Sequence, residues 1–148
     1  MKVINRKARF DYEIQDKFEA GIALTGAEVK SIKKGQLKLD DAYVRIDPNL
    51  EVFLVNAHVS PYQFADNKNY NPTRSRKLLL HKKEILSLQK KTEARNLTLV
   101  PTACYLKKRR IKIEIGLGKG KKKYDKRQVI RKRDLDREMR RDLRGKNY

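Results

Sequence analysis

The 148-residue sequence predicts a mainly β protein with short helices, an antiparallel barrel followed by a basic C-terminal tail. Three observations predict it. Apolar residues recur at every second position in segment after segment, the period of half-buried strands. Turn residues separate these segments at short intervals. The composition changes abruptly at Gly116-Leu117-Gly118-Lys119-Gly120, beyond which Lys and Arg dominate and apolar residues are few.

Taken in order, Phe10, Tyr12 and Ile14 alternate with Arg9, Asp11, Glu13 and Gln15, and Phe18, Ala20, Ile22 and Leu24 keep the same parity. A strand is expected across this stretch. Thr25-Gly26-Ala27-Glu28 then has the form of a capping box, in which the Thr hydroxyl accepts from one orphan amide and the Glu carboxylate from another. It opens a short helix that turns Val29 and Ile32 inward and Lys30, Lys33 and Lys34 outward, and that stops at Gly35. Val44 and Ile46, then Val52 and Leu54, flank Asp47-Pro48-Asn49, a hairpin signal. A second helix is expected from about Lys82 to Thr92, burying Ile85 and Leu88. Pro101 interrupts a strand-like run from Leu97 to Leu106 and predicts an edge or a bulge there. Lys107-Lys108-Arg109-Arg110 reads as a basic hairpin tip, after which Ile111, Ile113, Ile115 and Leu117 alternate with Lys112, Glu114, Gly116 and Gly118. Closure removes exposed strand edges, so an OB-like antiparallel β-barrel is the natural candidate, though periodicity does not separate it from other small barrels.

The boundary between body and tail falls at about residue 118, giving a body of 1–118 and a tail of 119–148. The tail holds 14 Lys and Arg against 5 Asp and Glu, so it carries +9 of the net +20. Leu135, Met139 and Leu143 recur every four residues, and Lys132, Asp136 and Arg140 make opposite-charge pairs at i,i+4. A helix over about Val129 to Arg144 is therefore expected. Its apolar stripe is one residue wide, too little to hold a helix of that length in water. The expectation is a tail disordered when free and helical once a partner neutralises its charge, with a helix packed on the body at all times as the alternative.

Charge is the strongest functional signal. Lys and Arg number 38 against 18 acids. Such an excess repels itself unless a polyanion is the working partner, and it speeds encounter with phosphate backbones. No window approaches the roughly 18 apolar residues of a membrane span, and no broad apolar helix face exists for a membrane surface. Lys2, Arg6, Lys7 and Arg9 interrupt any apolar leader, so a soluble, cytoplasmic protein is expected.

Catalysis finds no support. The sequence has no phosphate-binding loop, no GxSxG and no HExxH. Cys104 is the single cysteine, read as a small half-buried strand residue, and with His58 and His81 it makes no four-ligand zinc site. His58 continues a strand pattern and His81 opens a helix. No catalytic residue, metal or cofactor is expected. A basic nuclease is the one enzyme class worth weighing, and the clustered acids its metal would need are not evident.

Five stretches carry a resemblance. They are Asn5-Arg6-Lys7-Ala8; Tyr12 with Phe18-Glu19-Ala20-Gly21-Ile22; Leu24-Thr25-Gly26-Ala27-Glu28-Val29-Lys30-Ser31; Pro72-Thr73-Arg74-Ser75-Arg76-Lys77-Leu78-Leu79-Leu80-His81; and Gly118-Lys119-Gly120-Lys121-Lys122-Lys123-Tyr124-Asp125-Lys126-Arg127. In order and spacing they resemble the SsrA-binding, or small protein B, family. The resemblance implies an OB-type barrel that binds the tRNA-like domain of transfer-messenger RNA. It implies delivery to stalled ribosomes for trans-translation, with the tail in the empty messenger path near the decoding centre. Alanyl-tRNA synthetase and elongation factor Tu are then partners through the RNA, and a monomer is expected.

By the same resemblance, Asn5, Glu19 and Leu79 fall on positions linked to RNA binding. From the residues alone, Asn5 could be a frayed terminal residue, Glu19 a surface ion pair and Leu79 core. As an RNA contact, Glu19 must meet donors such as base amino groups or a ribose 2′-OH, because a carboxylate repels phosphate. Lys30, Lys33, Lys34, Arg74, Arg76 and Lys77 are the expected phosphate contacts, and Lys7 and Arg9 join them as RNA-binding candidates. In the tail, Lys121, Lys122, Lys123, Tyr124, Asp125, Lys126 and Arg127 are the ribosome-binding candidates. Tyr124 stands where the family often has His; it keeps an aromatic plane for stacking but cannot become cationic. A structural ribosomal protein or a general basic RNA chaperone is the alternative, and composition does not separate them.

Overall fold

The computed structural model describes residues 1–121 and 123–145, with side chains described through 121 and again from 127 to 141. The chain begins with β1 (Lys2–Ile4) and then turns into α1 (Arg6–Asp11). Phe10 and Asp11, expected in a strand, belong to this helix. The cause is local: the Asn5 carboxamide oxygen accepts from the Ala8 amide at 3.1 Å and starts the helix, and Tyr12 ends it by becoming extended. β2 (Tyr12–Ile22) then keeps the expected parity, with even positions turned inward as far as Ala20.

α2 (Gly26–Lys33) has both halves of its capping box, Thr25 Oγ1 accepting from the Glu28 amide at 3.2 Å and Glu28 Oε1 from the Thr25 amide at 3.0 Å. Ile32 is fully buried, and Gly35, at φ +76°, turns the chain out of the helix. After β3 (Leu37–Lys38), the hairpin of β4 (Tyr43–Ile46) and β5 (Val52–Val55) pairs Val44 with Leu54 and Ile46 with Val52. β6 (His58–Val59), β7 (Arg76–Leu79) and α3 (Lys82–Arg95) follow, the last burying Ile85 and Leu88 as expected. β8 (Thr98–Lys107) and β9 (Arg110–Gly120) form the long hairpin. Pro101 marks a bulge in β8, where the register shifts between Pro101 and Ala103.

The seven-stranded sheet runs β1-β8-β9-β2-β7-β5-β4, antiparallel at every pairing, and β3 and β6 pair separately. One face of it encloses Leu54, Leu78, Ile113, Ile115 and Leu117 with Ile32 and Leu88 from the helices. Closure was expected, and the ladder does not close among the described residues. β4 comes alongside β8, but a groove lined by Val44, Arg45, Ile46, Leu97, Thr98 and Leu99 occupies the seam where closing hydrogen bonds would lie. The architecture is a curled antiparallel sheet with short helices.

The glycines that read as a boundary are strand interior. Gly118 pairs with both Ile14 and Thr98, and a Cβ on Gly116 would stand 2.8 Å from Thr102 Cγ2. Here the missing side chains let Ile14 and Tyr12 cross β9 closely. Cys104 is fully buried in β8, and burial pushes its thiol up to about 12.

β9 runs through Gly120, and the Lys121 amide donates to Asp11 O at 2.9 Å. α4 (Lys123–Gly145) follows, longer than the helix expected over 129–144. Arg133 lies 5.6 Å from the Phe10 ring centroid, while Leu135 and Met139 of the expected stripe are exposed. The Leu143 side chain lies outside the described residues.

Candidate RNA interface

Strand alternation decides which side chains of β7 meet solvent. Arg76 and Leu78 point inward, Lys77 and Leu79 outward, so Leu79 is 53% exposed although its run reads as core. Register extends this outward position across the sheet. Leu79 lies opposite Gly21, Gly21 opposite Lys112, Lys112 opposite Tyr105, and Tyr105 opposite Lys2. Gly21 leaves a gap in that row, where a Cβ would meet Leu79 Cβ at 3.3 Å. The gap opens into a groove of about 380 Å³ with an apolar floor of Ile22, Leu24, Val29 and Leu79 and a cationic rim of Arg109, Arg110 and Lys112. Lys108 and Arg109 both have positive φ, 49° and 66°, so the β8–β9 tip is a tight reverse turn built without glycine or asparagine. That geometry costs about 1–2 kcal/mol at each such residue. The sequence marks the tip as basic; that it borders the Leu79 groove depends on the fold.

Glu19 stands beside this row, one outward position along β2 from Gly21. In the free chain it accepts from the Tyr105 hydroxyl and from Lys107 Nζ at 3.3 Å. The Tyr105 hydrogen bond is the main reason its carboxyl is lowered; burial opposes this, and Lys107 and Lys112 support it. Burial and the Glu19 contact in turn raise the Tyr105 hydroxyl. Glu19 therefore presents an ionised acceptor already ordered by donors.

Two expected contacts are interior. Asn5 is 1% exposed: its Nδ2 donates to Leu39 O at 3.0 Å and Pro101 O at 2.7 Å, and its backbone amide to Thr102 O at 2.9 Å. All its polar atoms are committed to joining α1, β8 and the segment after β3. Arg76, expected on phosphate, is fully buried because it shares the inward parity of Leu78. Its Nε donates to Glu28 Oε2 at 2.6 Å, Nη1 to Ala57 O at 2.9 Å and Arg74 O at 3.1 Å, and Nη2 to Pro72 O at 2.9 Å and Tyr70 Oη at 3.2 Å. Every N–H of the guanidinium is satisfied. Arg74 also donates to Glu28, from Nη2 and, at 3.2 Å, from Nε, so its charge is largely spent inside.

Glu28 is thus more than a helix cap. Burial alone would raise its carboxyl, but hydrogen bonds from Arg74, the Thr25 amide and Arg76 reverse this and lower it to about 2. Its two arginines lie 46 and 48 residues downstream, beyond any local pattern.

The remaining cations are outside. Lys30, Lys33 and Lys34 are exposed on α2. Lys77 is exposed and 3.9 Å from Glu51, and Lys7 is 3.1 Å from Asp41, whose hydrogen bond raises its pKa. Arg9 is exposed on α1, and its carbonyl accepts from Lys121 Nζ at 3.2 Å. Arg127 is exposed on α4. Lys122 lies outside the described residues, as do the side chains of Lys123, Tyr124, Asp125 and Lys126. His58 Nδ1 is buried without a hydrogen-bond partner among the described residues, and His81 stands at the N-cap position of α3, its backbone amide donating to Glu84 Oε1 at 3.4 Å. Among the described residues, no group of three or more His, Cys, Asp or Glu could hold a metal ion.

Comparison with known proteins finds relatives along nearly the whole chain. The family model described as SmpB protein matches residues 2–145. The SsrA-binding protein of Desulfitobacterium hafniense is 50% identical over 100% of this chain and 97% of its own length. That of Carboxydothermus hydrogenoformans is 52% identical over 96% of this chain and 95% of its own. A solved chain from work described as "tmRNA-SmpB: a journey to the center of the bacterial ribosome" superposes with a TM-score of 0.68 at 40% identity, covering 88% of this chain and 94% of that one. The chain belongs to the SmpB family of SsrA-binding proteins.

Proposed function

We propose that the chain binds the tRNA-like domain of transfer-messenger RNA and brings it to stalled bacterial ribosomes for trans-translation, acting as a binding protein and not as an enzyme. The observation that carries this is likeness to SsrA-binding proteins over the whole chain, tail included, together with the fold match over 88% of the chain to the solved tmRNA-SmpB chain. The partners are that RNA and the ribosome, with elongation factor Tu and alanyl-tRNA synthetase reached through the RNA. The place of action is the cytoplasm. The curled sheet serves as an OB-like scaffold, a reading supported by the approach of β4 to β8.

In this reading the outward row from Leu79 to Lys2 meets the RNA. Leu79 packs against a base or sugar, Lys30, Lys33, Lys34 and Lys77 meet phosphates, and Glu19 accepts from base or ribose donors. Glu19→Gln and Glu19→Lys test the last assignment. Both should weaken binding to the tRNA-like domain about tenfold, and Glu19→Lys should tighten binding to an unrelated RNA of equal length. Tighter specific binding by Glu19→Lys would remove Glu19 from the interface.

The basic tail, read from the sequence as 119–148 but leaving the sheet only after Gly120, acts as a separable segment that occupies the empty messenger path, its helix stabilised there by neutralisation of Lys and Arg. Tyr124, Asp125, Lys126 and Arg127 set its register. Support comes from Leu135 and Met139, 51% and 62% exposed, which contribute little burial to a helix that charge alone would repel. The test is a chain ending after Lys121, because a cut at Leu117 would remove the β9 residues paired with Tyr12, Glu13 and Ile14. This truncation should stay folded and bind the tRNA-like domain within about threefold of the full chain, the loss of a few tail phosphate contacts at most. It should not support tagging on stalled ribosomes. Normal tagging would refute the division of labour.

A further inference from the structure

The loop between β6 and β7 carries an aromatic pair that none of the groups above uses. Phe64 is 76% exposed, the most exposed large apolar side chain among the described residues. It is not a stray side chain on a loose loop. Tyr62 O accepts from the Ala65 amide at 3.1 Å and from Asn67 Nδ2 at 2.8 Å, which closes a turn with Phe64 near its apex. The Tyr62 and Phe64 rings meet edge to face, with centroids 5.5 Å apart and planes at 70°.

Cations from α2 surround the pair. Lys30 Nζ lies 5.4 Å from the Tyr62 centroid, and Lys34 Nζ lies 5.1 Å from Tyr62 and 5.9 Å from Phe64. Lys33 is exposed on the same helix. The loop and α2 are held together from beneath, since Tyr70 and Arg74 of the loop both reach Glu28 of α2. An aromatic plane in water, fixed by its turn and flanked by ammonium groups, has the chemistry of a single-stranded nucleic-acid platform: a π-face for a base and cations for the phosphates beside it. A protein partner would be expected to meet such a ring with an apolar collar, and lysines stand there instead.

We propose that Phe64, backed by Tyr62 and Lys34, is a stacking platform for one unpaired nucleobase, with Lys30 and Lys33 on the adjoining phosphates. The site is distinct from the Leu79 groove, and the inference rests on the RNA-binding function proposed above. The base comes either from transfer-messenger RNA or from ribosomal RNA, and the test separates the two.

The chain contains no tryptophan, so Phe64→Trp introduces a single indole whose emission reports stacking. The full-length variant is titrated at 0.15 M salt with a transcript of the tRNA-like domain and, separately, with ribosomes whose messenger path is empty. Quenching by one of them is expected and names the source of the base. For that same RNA, Phe64→Ala and Phe64→Leu should both bind about tenfold more weakly than the wild type, with unchanged melting temperatures because the side chain is exposed. Phe64→Leu keeps an apolar contact but no π-face, so wild-type affinity in Phe64→Leu overturns stacking in favour of a protein or simple apolar partner. Wild-type binding with no quenching in either titration overturns the platform alone. Absence of wild-type binding to both overturns the RNA function and the platform with it.

Discussion

Glu28→Gln should destabilise the fold by about 3–5 kcal/mol, the cost of leaving a buried charge without its partner. For a chain of this length that is a fall of about 10 °C in melting temperature. The substitution keeps the side-chain length but turns an amide donor towards Arg74 and Arg76, which offer only donors to this site. The double variant Glu28→Gln, Arg76→Leu should be less destabilised than the two single losses added, because it also removes the stranded guanidinium. Thermal and urea unfolding of the four proteins of this cycle measure the coupling. Additive losses would show that the pair contributes no mutual stabilisation.

The same pair sets a pH dependence with a definite sign. The Glu28 carboxyl is lowered to about 2 in the folded chain, against an ordinary value of 4.5. Its contribution is therefore present in full above about 4.5 and is lost as pH falls from there towards 2. In Glu28→Gln the loss of stability over that window should shrink, and an acid limb unchanged from the wild type would assign it to other carboxylates.

Asn5→Asp should be comparably damaging, about 3 kcal/mol or more at neutral pH. Aspartate keeps the acceptor that caps α1, but it removes both donors and turns a charge towards the Leu39 and Pro101 carbonyls in a site 1% exposed. Burial beside carbonyls would raise the pKa of the new carboxyl. The penalty should then grow as pH rises through the range between its unfolded and folded values, and fade below both. Asn5→Ala should cost about 2–4 kcal/mol at any pH, from a lost cap and two unpaired carbonyls. Melting temperature and RNA affinity measured on the same preparations test the burial argument. Weaker RNA binding with an undiminished melting temperature would show that Asn5 touches RNA itself.

Much of the scaffold was legible because its signals are local. The even-numbered parity from Tyr12 to Ala20, the capping box at Thr25, the hairpin around Asp47-Pro48-Asn49 and the bulge at Pro101 each need only a few neighbouring residues. Phe10 misled because alternation continued through it while Asn5, five residues away, capped a helix. Gly116 and Gly118 carried two signals, strand parity with their neighbours and the change in composition. Glycine marks a linker in composition, but here it marks the close crossing of Ile14 and Tyr12, residues about a hundred positions earlier.

The candidate interface was legible in its chemistry but less so in its placement. The sequence by itself determined a basic body with a more basic tail, the α2 lysines on an outer face, and the family. Tertiary structure decided which of the matched residues meet solvent. It turned Leu79 outward and Arg76 inward by one strand parity, and drew Asn5 into contacts with partners 34 and 96 residues away. It also set Gly21 in the row where a missing side chain opens a groove. The reason is physical. A polar side chain is buried only where distant groups satisfy its donors and acceptors, and those partners are assembled by the fold, whereas charge and strand period are properties of the local chain.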